Sequence, residues 1–318
     1  MKGLYLKNNK IDVLTSGQCN NNCIFCCDRN IKDGHIGLRR SFIFLYKSPF
    51  LTLSGFLKQK EKLKHSDSIL FTGGEPTLNK DLFHFVRMLK NLGYENIEIQ
   101  TNGRLLSYHS FCLALLNSGI NAVGVSIHGS NSRIHDILTR SRGSFKQTNK
   151  GLGNIISLKD RYKIRVYTNF TINKINYKDI YNYLEMQLSF KKIDDIVINP
   201  LMYVGNAKIY YDRLFVSYTE IAEYAKRAID KLIKNGASTL FKIKLLSMPY
   251  CLMKGYENYI GMWREHIIIR NGALDKTSQA SRTEKSDKCK LCKHYEVCAG
   301  IDGLYVERNG WSEFKPVL

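Results

Sequence analysis

Three cysteines near the start, in Cys19-Asn20-Asn21-Asn22-Cys23-Ile24-Phe25-Cys26, have the types and spacing most suited to chemistry. Thiolates gathered in one short loop suit a [4Fe–4S] cluster, whose irons each take an outer ligand, ordinarily from four cysteines. A trio leaves one iron open, and an open iron can chelate a small molecule carrying an amine and a carboxylate. Cys27 sits beside Cys26 and keeps a second reading open, zinc held by four thiolates. Further on comes Phe71-Thr72-Gly73-Gly74-Glu75-Pro76. Two glycines lack side chains and let backbone approach a ligand closely, and an acid follows them.

A second group of thiols lies near the other end, in Cys289-Lys290-Leu291-Cys292 and Cys298, with Cys251 upstream. Four thiolates fully ligate an iron–sulfur cluster, and the same set makes a tetrahedral zinc site. The chain has nine cysteines, and their C-x-x-C grouping without a secretion signal argues for metals over disulfides. Cys27 and Cys112 remain. Cys112 lies in the apolar run Phe111-Cys112-Leu113-Ala114-Leu115-Leu116 and reads as a core residue. Cys27 reads as a bystander.

Short β-type runs alternate with helical segments, the pattern of a parallel α/β sheet. The expected strands are 11–15, 68–72, 96–101, 122–127, 163–171 and 195–199, with a further strand-like run at 240–246. The expected helices lie near 49–64, 80–92, 105–118, 144–159, 177–190 and 218–235. Ser217 and Glu220 read as a capping box and Gly236 as the stop of the last helix. On this plan the cysteine loop follows the first strand and Gly73–Glu75 the second. Asn102 follows the third and Ser126 ends the fourth. Periodicity alone leaves a barrel and a doubly wound sheet both open.

The chain has 318 residues, 44% of them hydrophobic, enough for one barrel-sized domain and an appendage. No apolar run reaches the length of a membrane span, and residues 1–10 contain no signal core. A reducing cytoplasm is the expected compartment. The formal net charge is +20, densest at Arg133, Arg140, Arg142, Lys146 and Lys150 against Asp136 alone. Such a surface favours anionic partners, while a Lys- and Asn-rich composition by itself also produces it.

Together, the cysteine loop with Phe25 in its aromatic position and the Gly73-Gly74-Glu75 motif resemble the radical S-adenosylmethionine (SAM) superfamily. The resemblance implies a partial (β/α)6 TIM-like barrel over residues 1–236, with its chemistry at the C-terminal strand ends, as in complete barrels. It implies a [4Fe–4S] cluster on Cys19, Cys23 and Cys26 whose open iron binds SAM. SAM is then cleaved to a 5'-deoxyadenosyl radical that abstracts hydrogen from a substrate C–H bond. Phe25 is placed near the adenine, and Gly73, Gly74 and Glu75 at the SAM ammonium. Asn102, Ser126 and Asn169 become candidates for polar contacts to ribose or methionine, while no catalytic residue is singled out. His128 reads equally as a substrate contact or a structural histidine. Residues 237–318 resemble the small cysteine-rich domains called SPASM and Twitch, which implies an auxiliary [4Fe–4S] cluster on Cys251, Cys289, Cys292 and Cys298. The spacing departs from both standard types, so zinc stays open there.

Related enzymes often modify ribosomally made peptides, the leading expectation, although residues 1–10 leave no room for a leader-binding domain. The alternatives are a nucleotide, sugar or RNA substrate and, in a different class, a non-catalytic metal protein that binds nucleic acid. A flavodoxin or ferredoxin is the implied electron donor.

Overall fold

The computed structural model describes residues 10–14, 18–27, 68–261, 266–270, 273–275 and 283–318. Its apolar runs form strands because each has a covered, helix-facing side. Ten strands make one sheet: β1 (Lys10–Leu14), β2 (Ser68–Thr72), β3 (Asn96–Thr101), β4 (Ala122–Ser126), β5 (Arg165–Ile172), β6 (Asp195–Pro200), β7 (Ile243–Leu246), β8 (Ile260–Gly261), β9 (His266–Arg270) and β10 (Ala273–Asp275). Their order is β10-β9-β1-β2-β3-β4-β5-β6-β7-β8. Every neighbouring pair is parallel except β9 with β10. This is the expected α/β class, a partial barrel whose described strands leave two free edges.

Nine helices are described: α1 (Leu82–Asn91), α2 (His109–Asn117), α3 (Ser132–Thr139), α4 (Ser144–Tyr162), α5 (Ile180–Ser189), α6 (Asn206–Ile209), α7 (Tyr211–Leu214), α8 (Tyr218–Lys234) and α9 (Gly303–Asn309). The sheet's two faces differ sharply. Ile97, Ile99, Val123, Val125, Val166, Phe170, Ile196, Ile198, Ile243 and Leu245 are buried in one apolar core. The alternate positions carry Glu98, Gln100, Ser126, Asn169, Asn199 and Lys244. A strand points successive side chains to opposite faces, so one face builds the core and the other lines the barrel with polar groups.

Sequence and structure agree on β2 and β3 to the residue and on the other expected strands to within two residues at most ends. The capping box at Ser217 and Glu220 is formed, and Gly236 has φ +77°. The run at 240–246 divides into a 3-10 turn, Leu240–Lys242, and β7. The expected helix at 49–64 lies outside the described residues. Two features were not foreseen. One is α3, whose eight residues are polar on one side and lie in the stretch read as a basic patch. The other is the sheet's extension beyond β7 and β1 by β8, β9 and β10, built from strands of two to five residues. The sheet crosses residue 236, where the sequence reading divided the chain.

Candidate functional site

The cysteine loop follows β1, and its backbone is tied to several elements. Asn22 and Ile24 donate N–H bonds to the carbonyls of Thr139 and Leu138 at 2.8 and 2.9 Å. Those are last-turn carbonyls of α3, left free by any helix end. Glu75 donates its N–H to the Gln18 carbonyl at 2.7 Å. The Arg104 guanidinium donates to the Asn20 carbonyl, to Asn21 Oδ1 and Ser141 Oγ at 3.0 Å each, and to Gln147 Oε1 at 2.6 Å. Arg104 was not among the sequence-derived candidates. Its one visible signal is its place two residues after Asn102.

The three thiols are partly exposed, while Cys27 is exposed. Cys19 Sγ accepts from the Asn21 N–H at 3.4 Å and from Asn102 Nδ2 at 3.8 Å. Donors at sulfur favour the thiolate, the form that binds metal. The donor set therefore fits a cluster with an accessible side. Phe25 meets the His128 ring edge-on at 4.7 Å between centroids.

Gly73 and Gly74 adopt φ +81° and +53°, left-handed values natural to glycine. They turn the chain out of β2 and drop Glu75 inward, where it is 1% exposed. Its Oε1 accepts from the Thr77 N–H at 3.1 Å and from the Thr77 and Thr101 hydroxyls at 2.5 Å each. Its Oε2 accepts from the Asn102 N–H at 2.7 Å. Burial pushes its pKa up, against the pull of these four bonds. Glu75 thus joins the end of β2 to the end of β3. Asn102 turns its amide to Asn20 Oδ1, 2.6 Å away, so it too supports the loop.

Ser126 and Asn169 stand opposite one another on β4 and β5. Asn169 Oδ1 accepts from Asn199 Nδ2 at 2.5 Å. Asn199, unforeseen, extends the polar row to β6, and its own Oδ1 is buried without a hydrogen-bond partner among the described residues. His128 is 6% exposed and serves structure: its Nδ1 accepts from the Thr171 N–H at 3.1 Å, and its backbone N–H donates to His135 Nδ1 at 3.0 Å. Burial, and secondarily the adjacent His135, lowers the His128 pKa to about 3. Burial holds His135 to about 4. Both imidazoles are neutral at pH 7.

At the other end, Cys251, Cys289, Cys292 and Cys298 line one pocket with Pro249, Tyr250, Ile301, Trp311 and Phe314, and with Lys285 and Lys315 at its wall. Burial pushes the Cys251 thiol up to about 11, and Cys298, Cys292 and Cys289 push the same way. Cys112 is fully buried, as expected. Among the described residues no helix is long and apolar enough to cross a membrane.

Comparisons with known proteins converge on one family. A probable GTP 3',8-cyclase of Saccharolobus islandicus (strain Y.N.15.51 / Yellowstone #2) is 29% identical over 220 residues, covering 68% of this chain. The chain spans 64% of that relative's length. An Fe-coproporphyrin III synthase of Methanosarcina barkeri (strain Fusaro / DSM 804) is 31% identical over 170 residues, 53% of this chain and 39% of the relative. Streptococcus suis SuiB bound to precursor peptide SuiA shares the fold at TM-score 0.63 and 16% identity, over 97% of this chain and 74% of SuiB. The family model for the radical SAM superfamily matches residues 13–186, more than half of the sequence, and the chain belongs to that superfamily.

Proposed function

We propose that this radical SAM enzyme modifies a ribosomally made peptide, with one [4Fe–4S] cluster on Cys19, Cys23 and Cys26 and a second on Cys251, Cys289, Cys292 and Cys298. The first cluster and SAM supply one-electron cleavage of the sulfonium and, through it, hydrogen abstraction from carbon. The protein's residues orient and enclose. Arg104, Asn102 and α3 hold the loop, and Glu75 fixes the strand ends beneath it. Ser126, Asn169 and Asn199 offer polar groups along the barrel mouth.

The observation that carries the proposal is the meeting of four C-terminal thiols in one apolar pocket. Four cysteines ligate such a cluster completely, leaving it to pass electrons or hold structure. The fold shared with peptide-bound SuiB across 97% of this chain supports the peptide substrate.

A second reading has its own support. The relative named a GTP 3',8-cyclase, together with exposed Arg133, Arg140, Arg142, Lys146 and Lys150, favours a nucleotide whose phosphates meet cations at the barrel rim. Family membership sets aside the non-catalytic reading.

The test is anaerobic reconstitution followed by iron, sulfide and zinc analysis and assay of 5'-deoxyadenosine release. About eight irons per chain supports two clusters, whereas about four irons with one zinc removes the auxiliary cluster. Release stimulated by a peptide fraction of the native organism supports the first reading. Stimulation by the nucleotide fraction alone selects the second.

A further inference from the structure

The chain after β6 returns to the cysteine loop through two residues that no motif singled out. Gly205 has φ +56°. A Cβ added there would lie 2.4 Å from the Cys27 carbonyl oxygen and 2.7 Å from that of Cys26. Both are backbone atoms, so any larger residue has to push the loop aside. Asn206, next in sequence, is fully buried. Its N–H donates to the Cys26 carbonyl at 2.9 Å, and its Nδ2 donates to the Cys23 carbonyl at 2.9 Å. Asn206 Oδ1 is buried with no hydrogen-bond partner among the described residues. Turning the amide over would set oxygen against the Cys23 carbonyl, so the bond to Cys23 is retained although an unsatisfied acceptor costs about 1–3 kcal/mol.

The segment that carries this pair is itself anchored. Tyr203 packs on Tyr211 at 4.5 Å and on Tyr305 at 6.3 Å between ring centroids. Asn309 Nδ2 donates to the Tyr211 hydroxyl at 2.5 Å, and the Arg140 guanidinium lies 4.6 Å from the centre of the Tyr210 ring. Cys19 is held from the other side, by Asn102 and Asn21. The two ends of the C-x3-C-x2-C loop are therefore set by different parts of the fold.

We infer that Gly205 and Asn206 are positioning residues for the first cluster, fixing the backbone of Cys23 and Cys26 and so the directions of their thiolates. The inference rests on the reading of Cys19, Cys23 and Cys26 as cluster ligands and adds residues from the far side of the barrel to their support. Outer groups that orient metal ligands typically alter affinity about 10- to 100-fold when changed.

The test compares wild type with Gly205→Ala and with Asn206→Asp, which keeps size while replacing the donor to Cys23 with an acceptor. Each is reconstituted anaerobically and challenged with an iron chelator. The reduced cluster is examined by electron paramagnetic resonance with and without SAM. Metal retained at the C-terminal cysteines reports that the chain is folded. The expected result is about 10-fold weaker retention of the first cluster and an altered resonance response to SAM, with the C-terminal metal kept. Wild-type retention and an unchanged SAM response in both variants overturn the inference. Loss of both metals together in both variants also overturns it, because that marks a general packing role. A wild-type chain that takes up no cluster at Cys19, Cys23 and Cys26 removes the reading beneath and the inference with it.

Discussion

The two groups of cysteines share a residue type and a half-buried position, and differ in what surrounds them. The N-terminal loop is suspended in a polar net of Arg104, Asn102, Asn21 and the end carbonyls of α3, with its thiols half-open. The C-terminal four are equally half-buried but sit among Trp311, Phe314, Ile301 and Pro249, with their backbone bonds made within their own stretch, as from the Cys298 N–H to the His294 carbonyl at 2.9 Å. A polar, accessible site suits a group that exchanges a ligand at every turnover. An apolar lining suits a group that stays, because it lowers the local dielectric and strengthens the hold of cation on thiolate.

The sharpest way to break this contrast is to remove one thiol from each site. Cys23→Ser is expected to take SAM-dependent 5'-deoxyadenosine formation to background, measured by chromatography after anaerobic reduction. Cys292→Ser is expected to keep slow, substrate-independent SAM cleavage while iron falls from about eight to about four per chain. Equal loss of cleavage in the two variants would mean that the sites are not separate in role.

A smaller effect separates them by pH. His128 and His135 tie the ends of β4 and β5 to α3, and α3 holds the N-terminal loop. Their folded pKa values, about 3 and about 4, lie below the ordinary histidine value near 6.5. The unfolded chain therefore binds more protons, and the stability these neutral imidazoles contribute is present above about pH 6.5 and lost as pH falls toward about 4. Each histidine should cost about 1.4 kcal/mol per pH unit in that window. Urea unfolding at pH 7 and pH 5 measures it, and His135→Gln should flatten the slope. An identical slope in that variant would place the acid sensitivity elsewhere.

The smallest expected effect is at Glu75. Glu75→Gln puts a donor where only donors now point and should lower stability by about 2 kcal/mol, read as a fall in Tm of the apo chain. If stability holds and only SAM binding weakens, Glu75 belongs to the ligand more than to the strand ends.

Much of this was legible in the chain. The strands at 68–72 and 96–101 emerged to the residue, because each is a short apolar run flanked by turn residues. Both cysteine groups and the Gly73–Glu75 turn were legible too, because spacing within a loop is a local property. The helix at 132–139 was not, since its amphipathic pattern is short and its charges read as a patch. The added strands β8 and β10, of two and three residues, were too short for periodicity to register.

By itself, then, the sequence determined the reaction class: three thiols in one loop and a double glycine before an acid are constraints that a few neighbouring residues satisfy alone. Tertiary structure decided who supports them. Arg104, α3 and Asn206 reach the N-terminal loop from positions 83 to 183 residues away, from Arg104 with Asn21 to Asn206 with Cys23. Cys251 likewise meets its three partners only in the folded chain. Contacts of that span depend on how the strands are ordered and how the helices pack across them, and no local pattern of residues encodes the meeting point.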